Sequence, residues 1–223
     1  MKTTIITPTI GTGFLEDCCR SVAIQEKPAN HLLVVDGLAY EDQVMEIVAK
    51  VESNHPSYDP DVIVLPWNTG AGRMNGHRIY AAIPQLIGTD YFAMLDEDNL
   101  YLPDWVARME SALADPALYY VTCRRLASDR DVKRLVSDHH ESIGRNQYGY
   151  ALYDTSTWLL RTEIMAKYMH YMIVPEVGDR AISQAFIEYP HSHLSTYYGT
   201  IYRAPERLYD FFGINEQPEE EEQ

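Results

Sequence analysis

Three consecutive acids, Asp96, Glu97 and Asp98, followed by Asn99, close the short apolar run Tyr91 to Leu95. A run of that length and composition reads as a buried strand. In α/β proteins the carboxyl ends of such strands open onto the crevice that takes ligands, so acids placed there face a ligand and not bulk water. Side chains at i and i+2 of an extended segment share a face, so Asp96 and Asp98 point together and Glu97 points away. Two converging carboxylates repel, and a hard divalent cation relieves the repulsion. Mg²⁺ or Mn²⁺ held by one or two carboxylates takes its remaining ligands from water and substrate phosphates. The same residues also suit a solvated acidic turn in which Asp98 or Asn99 caps a helix entered through Pro103.

The elements that would position these acids repeat along the first half of the chain. Thr3 to Thr7 is a β-branched strand ending at Pro8, and Gly11-Thr12-Gly13 leads into a helix with Phe14, Cys18 and Val22 on one face. Leu32 to Val35 is a second strand closed by Asp36-Gly37, followed by a helical pattern from Tyr40 to Val51. Val62 to Leu65 is a third, followed by Asn68-Thr69-Gly70-Ala71-Gly72-Arg73-Met74-Asn75-Gly76 and a helix around Arg78 to Leu86. After the acids comes a helix from about Pro103 to Ala114. Strands alternating with helices of this length predict a mainly parallel central sheet covered by helices on both faces. Beyond a strand at Tyr119 to Arg124 the alternation stops. Residues 126–150 are polar and read as a long loop or lid. Tyr153 to Leu160 reads as a strand, Arg161 to Tyr168 and Asp179 to Ile187 as helices, and His191 to Tyr202 as an aromatic extended segment.

A chain of 223 residues, 46% hydrophobic, can bury one sizeable core. The expected organisation is one domain over residues 1–213, with a nucleotide-binding half at about 1–118 and an acceptor-side half at about 119–213. Residues 214–223 form a solvated acidic tail. Removing that tail's five glutamates takes the formal charge from −15 to −10, so the body is itself acidic. An acidic body argues against a nucleic-acid or anionic-membrane surface, since both reward clustered Lys and Arg. No apolar run approaches the roughly 20 residues needed to span a bilayer, and no secretory leader is evident, which predicts a soluble, cytoplasmic protein. Cys18, Cys19 and Cys123 lack metal-ligand spacing and fit a reducing compartment.

Four features stand in a fixed order after successive strands: Thr7-Pro8-Thr9, Val34-Val35-Asp36-Gly37, the Asn68 to Gly76 segment, and Asp96-Glu97-Asp98. In that order they resemble the GT-A glycosyltransferases of family 2, an inverting group that uses nucleotide-activated sugars; the resemblance covers roughly residues 3 to 190. It implies a GT-A, Rossmann-like fold and transfer of a sugar from a nucleoside diphosphate to a hydroxyl acceptor. By the same resemblance Pro8 and Thr9 lie beneath the nucleotide, and Asp36 takes the base or ribose. A carboxylate there can accept from a uracil-type N–H, which favours a UDP-sugar. Asn68, Gly70, Arg73 and Asn75 line the donor, with Arg73 placed to meet a phosphate. Asp96 and Asp98 match the Asp-x-Asp motif that holds Mn²⁺ or Mg²⁺ against the diphosphate. His193 or His191 completes the metal shell, and Asp179 is the base, with Glu176 in reserve. The residue before Asp179 is Gly178, where the family pattern has an acid.

Plainer roles exist for each of these residues. Asp36 suits a turn before Gly37, the 68–76 segment a Gly-rich loop with a capping Asn, Asp179 a helix N-cap, and the histidines hydrogen-bonded surface positions. Twelve of the 17 tyrosines lie beyond residue 118, which marks that half as the acceptor side, since aromatic rings suit the faces of sugars. The loop from Gly144 to Tyr150, with glycine at its start, is a candidate to order over bound donor. A nucleotidyltransferase of related architecture is the competing enzymatic reading, weakened because Thr9 to Phe14 contains no basic residue. A non-catalytic sugar- or nucleotide-binding relic is the third. The acceptor's identity (glycan, lipid-linked sugar, protein or small molecule) and the oligomeric state are not written in the sequence.

Overall fold

A computed structural model of the chain describes residues 2–145, 151–175 and 177–215. The expected acidic tail from Glu216 onward, Glu176, and residues 146–150 of the expected lid lie outside the described residues. Strands β1 (Thr3–Thr9), β2 (Asn30–Val35), β3 (Asp61–Val64) and β4 (Tyr91–Met94) are parallel and stand in the order β3-β2-β1-β4. They are linked by helices α1 (Leu15–Ala23), α2 (Glu41–Asn54) and α3 (His77–Ala82). The connection from β1 runs toward β2, whereas β4 joins on the opposite side of β1. The order therefore reverses between β1 and β4, and a crevice opens at their carboxyl ends.

The chain continues through β5 (Leu100–Tyr101), α4 (Trp105–Ala112), β6 (Tyr120–Ser128), β7 (Leu135–Ser137), β8 (Gly144–Arg145) and β9 (Ala151–Leu152). It ends with β10 (Trp158–Arg161), α5 (Thr162–Met165), α6 (Gly178–Phe186), β11 (His191–Arg203) and α7 (Tyr209–Phe212). β10 enters the main sheet antiparallel between β4 and β6, β11 lies parallel to β6, and β5 pairs antiparallel with β11. One mixed but mostly parallel sheet thus runs through both halves of the chain, and β8 and β9 form a separate pair.

Successive residues of a strand face opposite sides, and both sides of this sheet are covered. Ile5 packs with Leu15, Cys18, Val44, Val48 and Trp105 beneath α1, α2 and α4. Ile6 packs with Ile79, Tyr80, Met165, Met169 and Phe186 beneath α3, α5 and α6. A strand apolar on both faces is what the uninterrupted run Thr3 to Thr7 requires.

Two elements depart from the sequence pattern. The strand expected from Tyr153 begins only at Trp158, because Asp154 caps a single 3₁₀ turn over Thr155–Thr157, its carboxylate accepting from the Ser156 N–H at 3.0 Å. The polar stretch 126–150 is not wholly a loop. β6 runs on to Ser128 and pairs with β7, and two acids of the stretch, Asp138 and Glu141, close around the buried Arg125.

Candidate active site

The crevice at the β1/β4 switch is a cavity of about 780 Å³, lined by Pro8, Thr9, Asp36, Asn68, Gly70, Asn75, Asp96 and Asp98. Eight of the positions expected to meet donor or metal therefore share one cavity. Tyr40, His77, Glu97 and Tyr202 line it as well. Arg73 does not: it is exposed, with a left-handed φ of 67°.

The expected alternation does not reach the acids, because the chain turns after β4, the Asn99 N–H donating to the Asp96 carbonyl at 2.9 Å; Glu97 lines the same cavity and fixes the loop after β1. Its carboxylate accepts from the Thr9 hydroxyl at 2.6 Å and from the Thr12 N–H at 3.1 Å. Asp36 does the same for the third loop, accepting from the N–H groups of Thr69 at 2.6 Å and Gly70 at 2.8 Å. Each carboxylate oxygen has a second lone pair, so this anchoring leaves acceptor capacity toward the cavity. The loop then returns onto β1: a Cβ at Gly76 would lie 2.6 Å from Pro8 Cγ, so only glycine allows that approach.

The acid pair is strongly perturbed. Burial pushes Asp96 up to about 8, helped by the charges of Asp98, Asp154 and Asp179 and opposed by the Tyr80 hydroxyl, which donates to its Oδ1 at 2.8 Å. Burial also raises Asp98 to about 6, with Glu97 and Asp154 adding to it, while a backbone hydrogen bond and Arg203 pull it down. The helix-capping alternative does not hold, since α4 starts at Trp105 with Asp104 as its N-cap. Two recessed carboxylates with proton affinities raised in this way offer hard oxygen donors, which fit Mg²⁺ or Mn²⁺. Among the described residues no group of three or more His, Cys, Asp or Glu is arranged to hold a metal.

Neither expected histidine lines the cavity. His193 sits on β11 beside Thr122, whose hydroxyl lies 2.9 Å from its Nδ1, and burial lowers it to about 4, assisted by Arg124 and His191. Its Nε2 is buried and has no hydrogen-bond partner among the described residues. His191 stacks on Tyr120 at 4.8 Å, and its Nδ1 meets the Tyr189 carbonyl.

Asp179 lies in the first turn of α6, not at its N-cap, which is Val177. Its Oδ1 accepts from the Arg180 N–H at 2.8 Å. Burial raises Asp179, as does Asp154, while the Arg180 N–H, the Arg180 charge and His77 act against them. Gly178 has a steric cause. A Cβ there would lie 2.6 Å from the Met172 carbonyl oxygen and 2.8 Å from His77 Nδ1, so no acid can precede Asp179. Gly178→Asp is expected to cost about 1–3 kcal/mol as overpacking. A melting temperature equal to that of the parent protein would contradict this.

Several site residues were not legible beforehand. Tyr80 reaches Asp96 from α3, and Arg203 donates to the Asp98 carbonyl at 3.3 Å and to Asp17 at 2.6 Å from the end of β11. Asp154 and Arg125 were missed because nothing in sequence spacing joins them. A family model for glycosyl transferase family 2 matches residues 4–167. The chain belongs to that family. Its fold is that of the GT-A enzymes. Among solved structures it is similar to S. aureus TarS 1-349 (17% identity, TM-score 0.70), with 94% of this chain covering 63% of that one. The same protein in complex with UDP-GlcNAc aligns with TM-score 0.69 at 15% identity, over 92% of this chain and 59% of that one. A mannosyltransferase from Pyrobaculum calidifontis in complex with GDP-Man and Mn2+ aligns with TM-score 0.66 at 15% identity, over 96% and 60%. The family 2 chain thus spans about three fifths of the length of these structures. No curated protein sequence matches it. Among the described residues no helix is long and apolar enough to cross a membrane.

Proposed function

We propose that the chain is a metal-dependent, inverting glycosyltransferase that moves a sugar from a nucleoside diphosphate, UDP in the first instance, to a hydroxyl acceptor. The observation that carries this reading is the convergence of Asp96 and Asp98 at the β1/β4 switch, inside the cavity that also holds Asp36 and the 68–76 loop. Asp96 and Asp98 would hold Mn²⁺ or Mg²⁺, which supplies positive charge where the departing diphosphate gains negative charge. Asp36, with its free lone pairs, receives an N–H of the base or a ribose hydroxyl. Asp179 takes the acceptor's proton, and its raised proton affinity suits a base that works near neutral pH. TarS in complex with UDP-GlcNAc supports the nucleotide-sugar class, and the mannosyltransferase in complex with GDP-Man and Mn2+ supports the metal. Membership of family 2 favours sugar transfer over nucleotidyl transfer.

Thermal shifts across UDP-, GDP- and dTDP-sugars, each with and without Mn²⁺, test the proposal, because a ligand that binds only the native state raises its melting temperature. A UDP-sugar with Mn²⁺ is expected to give the largest rise. Donors that stabilise equally without metal, or none that stabilise at all, would refute it. Mn²⁺ affinity should also depend on pH. Asp96 is protonated below about 8, so the ion must displace a proton, and affinity should rise by up to roughly tenfold per pH unit between pH 6 and 8, and more steeply below 6, where Asp98 is protonated as well. A flat affinity over that range in calorimetric titrations would contradict the assignment.

A further inference from the structure

Asp179 is not alone in the place it occupies. A second, much smaller cavity of about 10 Å³, the room one water molecule needs, is walled by Asp179 and Ser183 of α6, by Asp154, and by Glu141. Asp154 is held from behind. Arg125 Nη1 donates to its Oδ2, and its Oδ1 accepts from the Ser156 N–H at 3.0 Å and the Ser156 hydroxyl at 2.5 Å. An aspartate fixed on both oxygens cannot swing away from a like charge. Asp179, by contrast, is anchored through one oxygen only, to the Arg180 N–H.

We propose that Asp154 is a positioning residue that acts through Asp179: the two carboxylates wall one water-sized cavity, and the fixed charge of Asp154 favours transfer of the acceptor hydroxyl's proton to Asp179. The inference rests on the assignment of Asp179 as the base. In the transfer, the acceptor oxygen forms its bond to the anomeric carbon. The bond from that carbon to the phosphate oxygen breaks, its electron pair leaving on the nucleoside diphosphate, and the acceptor proton moves to Asp179. The pair carries two negative charges before the step and one after it, so proton uptake relieves their repulsion. The proton then leaves to solvent by way of the small cavity.

Other groups bear on Asp179 as well. His77 faces it from α3 and Arg180 from its own helix, both favouring the charged form. Glu141 and Arg180 also line the small cavity; Glu141 shares Arg125 with Asp154 and is paired in addition with Arg180 at 3.3 Å. Arg125 and Asp138 lie behind Asp154. Asp96 and Asp98 line the main cavity, which Asp179 does not, and a metal there would neutralise them. Asp154 is thus the one acid that is rigidly held against Asp179 and remains there with the metal in place.

Asp154→Asn keeps an oxygen for Arg125 or Ser156 while removing the charge. The acidic limb of the pH profile of kcat/KM should move down by on the order of one pH unit. At pH 7, kcat should fall about tenfold, with donor KM within about twofold of the parent value. ¹³C-carboxyl titration of Asp179, which needs no turnover, should show the same downward displacement. A limb and a titration that superimpose on those of the parent protein would overturn the proposal, as would a uniform loss of rate at every pH. Asp179→Asn, run alongside, separates the two assignments. If it keeps full turnover, the base reading fails, whereas the carboxyl titration still decides whether the pair is coupled. Should Asp154→Asn not fold, Ser156→Ala decides instead: loss of the hydroxyl that holds Asp154 should free its carboxylate and move the Asp179 limb downward, and an unmoved limb overturns the inference.

Discussion

Asp98→Ala is expected to lose roughly 10²–10³-fold of its sugar-transfer rate, the scale on which removing one electrostatic stabiliser of a developing charge acts. Of the carboxylates that line the cavity, Asp36 and Glu97 are engaged by the loops they anchor, which leaves Asp98 and Asp96 for a cation, and Asp96 already accepts from Tyr80 through one oxygen. With one acid gone, the Mn²⁺-dependent rise in melting temperature with donor should vanish too. The stability of the metal-free variant should move the other way. Asp98 carries a raised folded-state proton affinity, so without metal it costs stability as pH rises from its unfolded value through about 6. Removing it, and with it the repulsion on Asp96, should leave the metal-free variant at least as stable at pH 8 as the parent protein. A site that costs stability when empty and is needed for turnover is one built for an ion. Mn²⁺-dependent turnover that survives Asp98→Ala would remove the basis for the metal reading. Glu97→Gln is the informative neighbour: Glu97 holds Thr9 and Thr12, so its loss should loosen the β1 loop without altering metal affinity in the same way.

The half of the fold that carries the donor cavity was legible because its signals are local. A β-branched run ending at Pro8, an apolar run ending at Asp36, and another ending at Asp96 each place a polar residue at a strand's carboxyl end. The topology then brings those ends together. Alternation did not carry into the acids themselves, because the chain turns at Glu97 and Asp98. The second half resisted for a physical reason. Asp138, Glu141 and Asp154 surround a buried cation, and composition cannot distinguish a charge facing water from a charge facing Arg125. Gly178 was equally opaque, since the atoms that exclude a side chain there belong to His77 and Met172, on other elements. The histidines were misjudged on spacing. His191 and His193 do share an extended strand, but β10 and β6 lie between that strand and β4.

Arg125→Met should cost about 3–5 kcal/mol, the range for stripping one partner from a buried ion pair. Arg125 is fully buried and serves three acids: Asp138 at 2.7 Å, Glu141 at 2.8 Å, and Asp154. Its guanidinium also lies 4.0 Å from the Tyr202 ring and 5.7 Å from that of Phe212, which ties α7 to the sheet. Methionine would preserve much of the side-chain volume, so the loss would come from charge and not from a cavity. Asp138, wholly buried, would bear most of it. Burial alone would raise that carboxyl, yet Arg125 and the N–H groups of Glu141 and His140 hold it below the usual range. In the parent protein this depressed affinity contributes stability above the unfolded pKa, lost as pH falls. In the variant the sign reverses, because burial without the guanidinium favours the protonated acid. The gap between the two proteins should therefore be widest at pH 7 and shrink toward pH 4, as Asp138 takes up a proton in the variant. Urea unfolding at both pH values measures the gap directly, and adding Asp138→Asn to Arg125→Met should recover part of the loss at pH 7. A gap independent of pH would mean that packing of the guanidinium against Tyr202 and Phe212, not its charge, holds this region. Asp154 would then owe its position to Ser156 alone, and its pairing with Asp179 should survive in the variant.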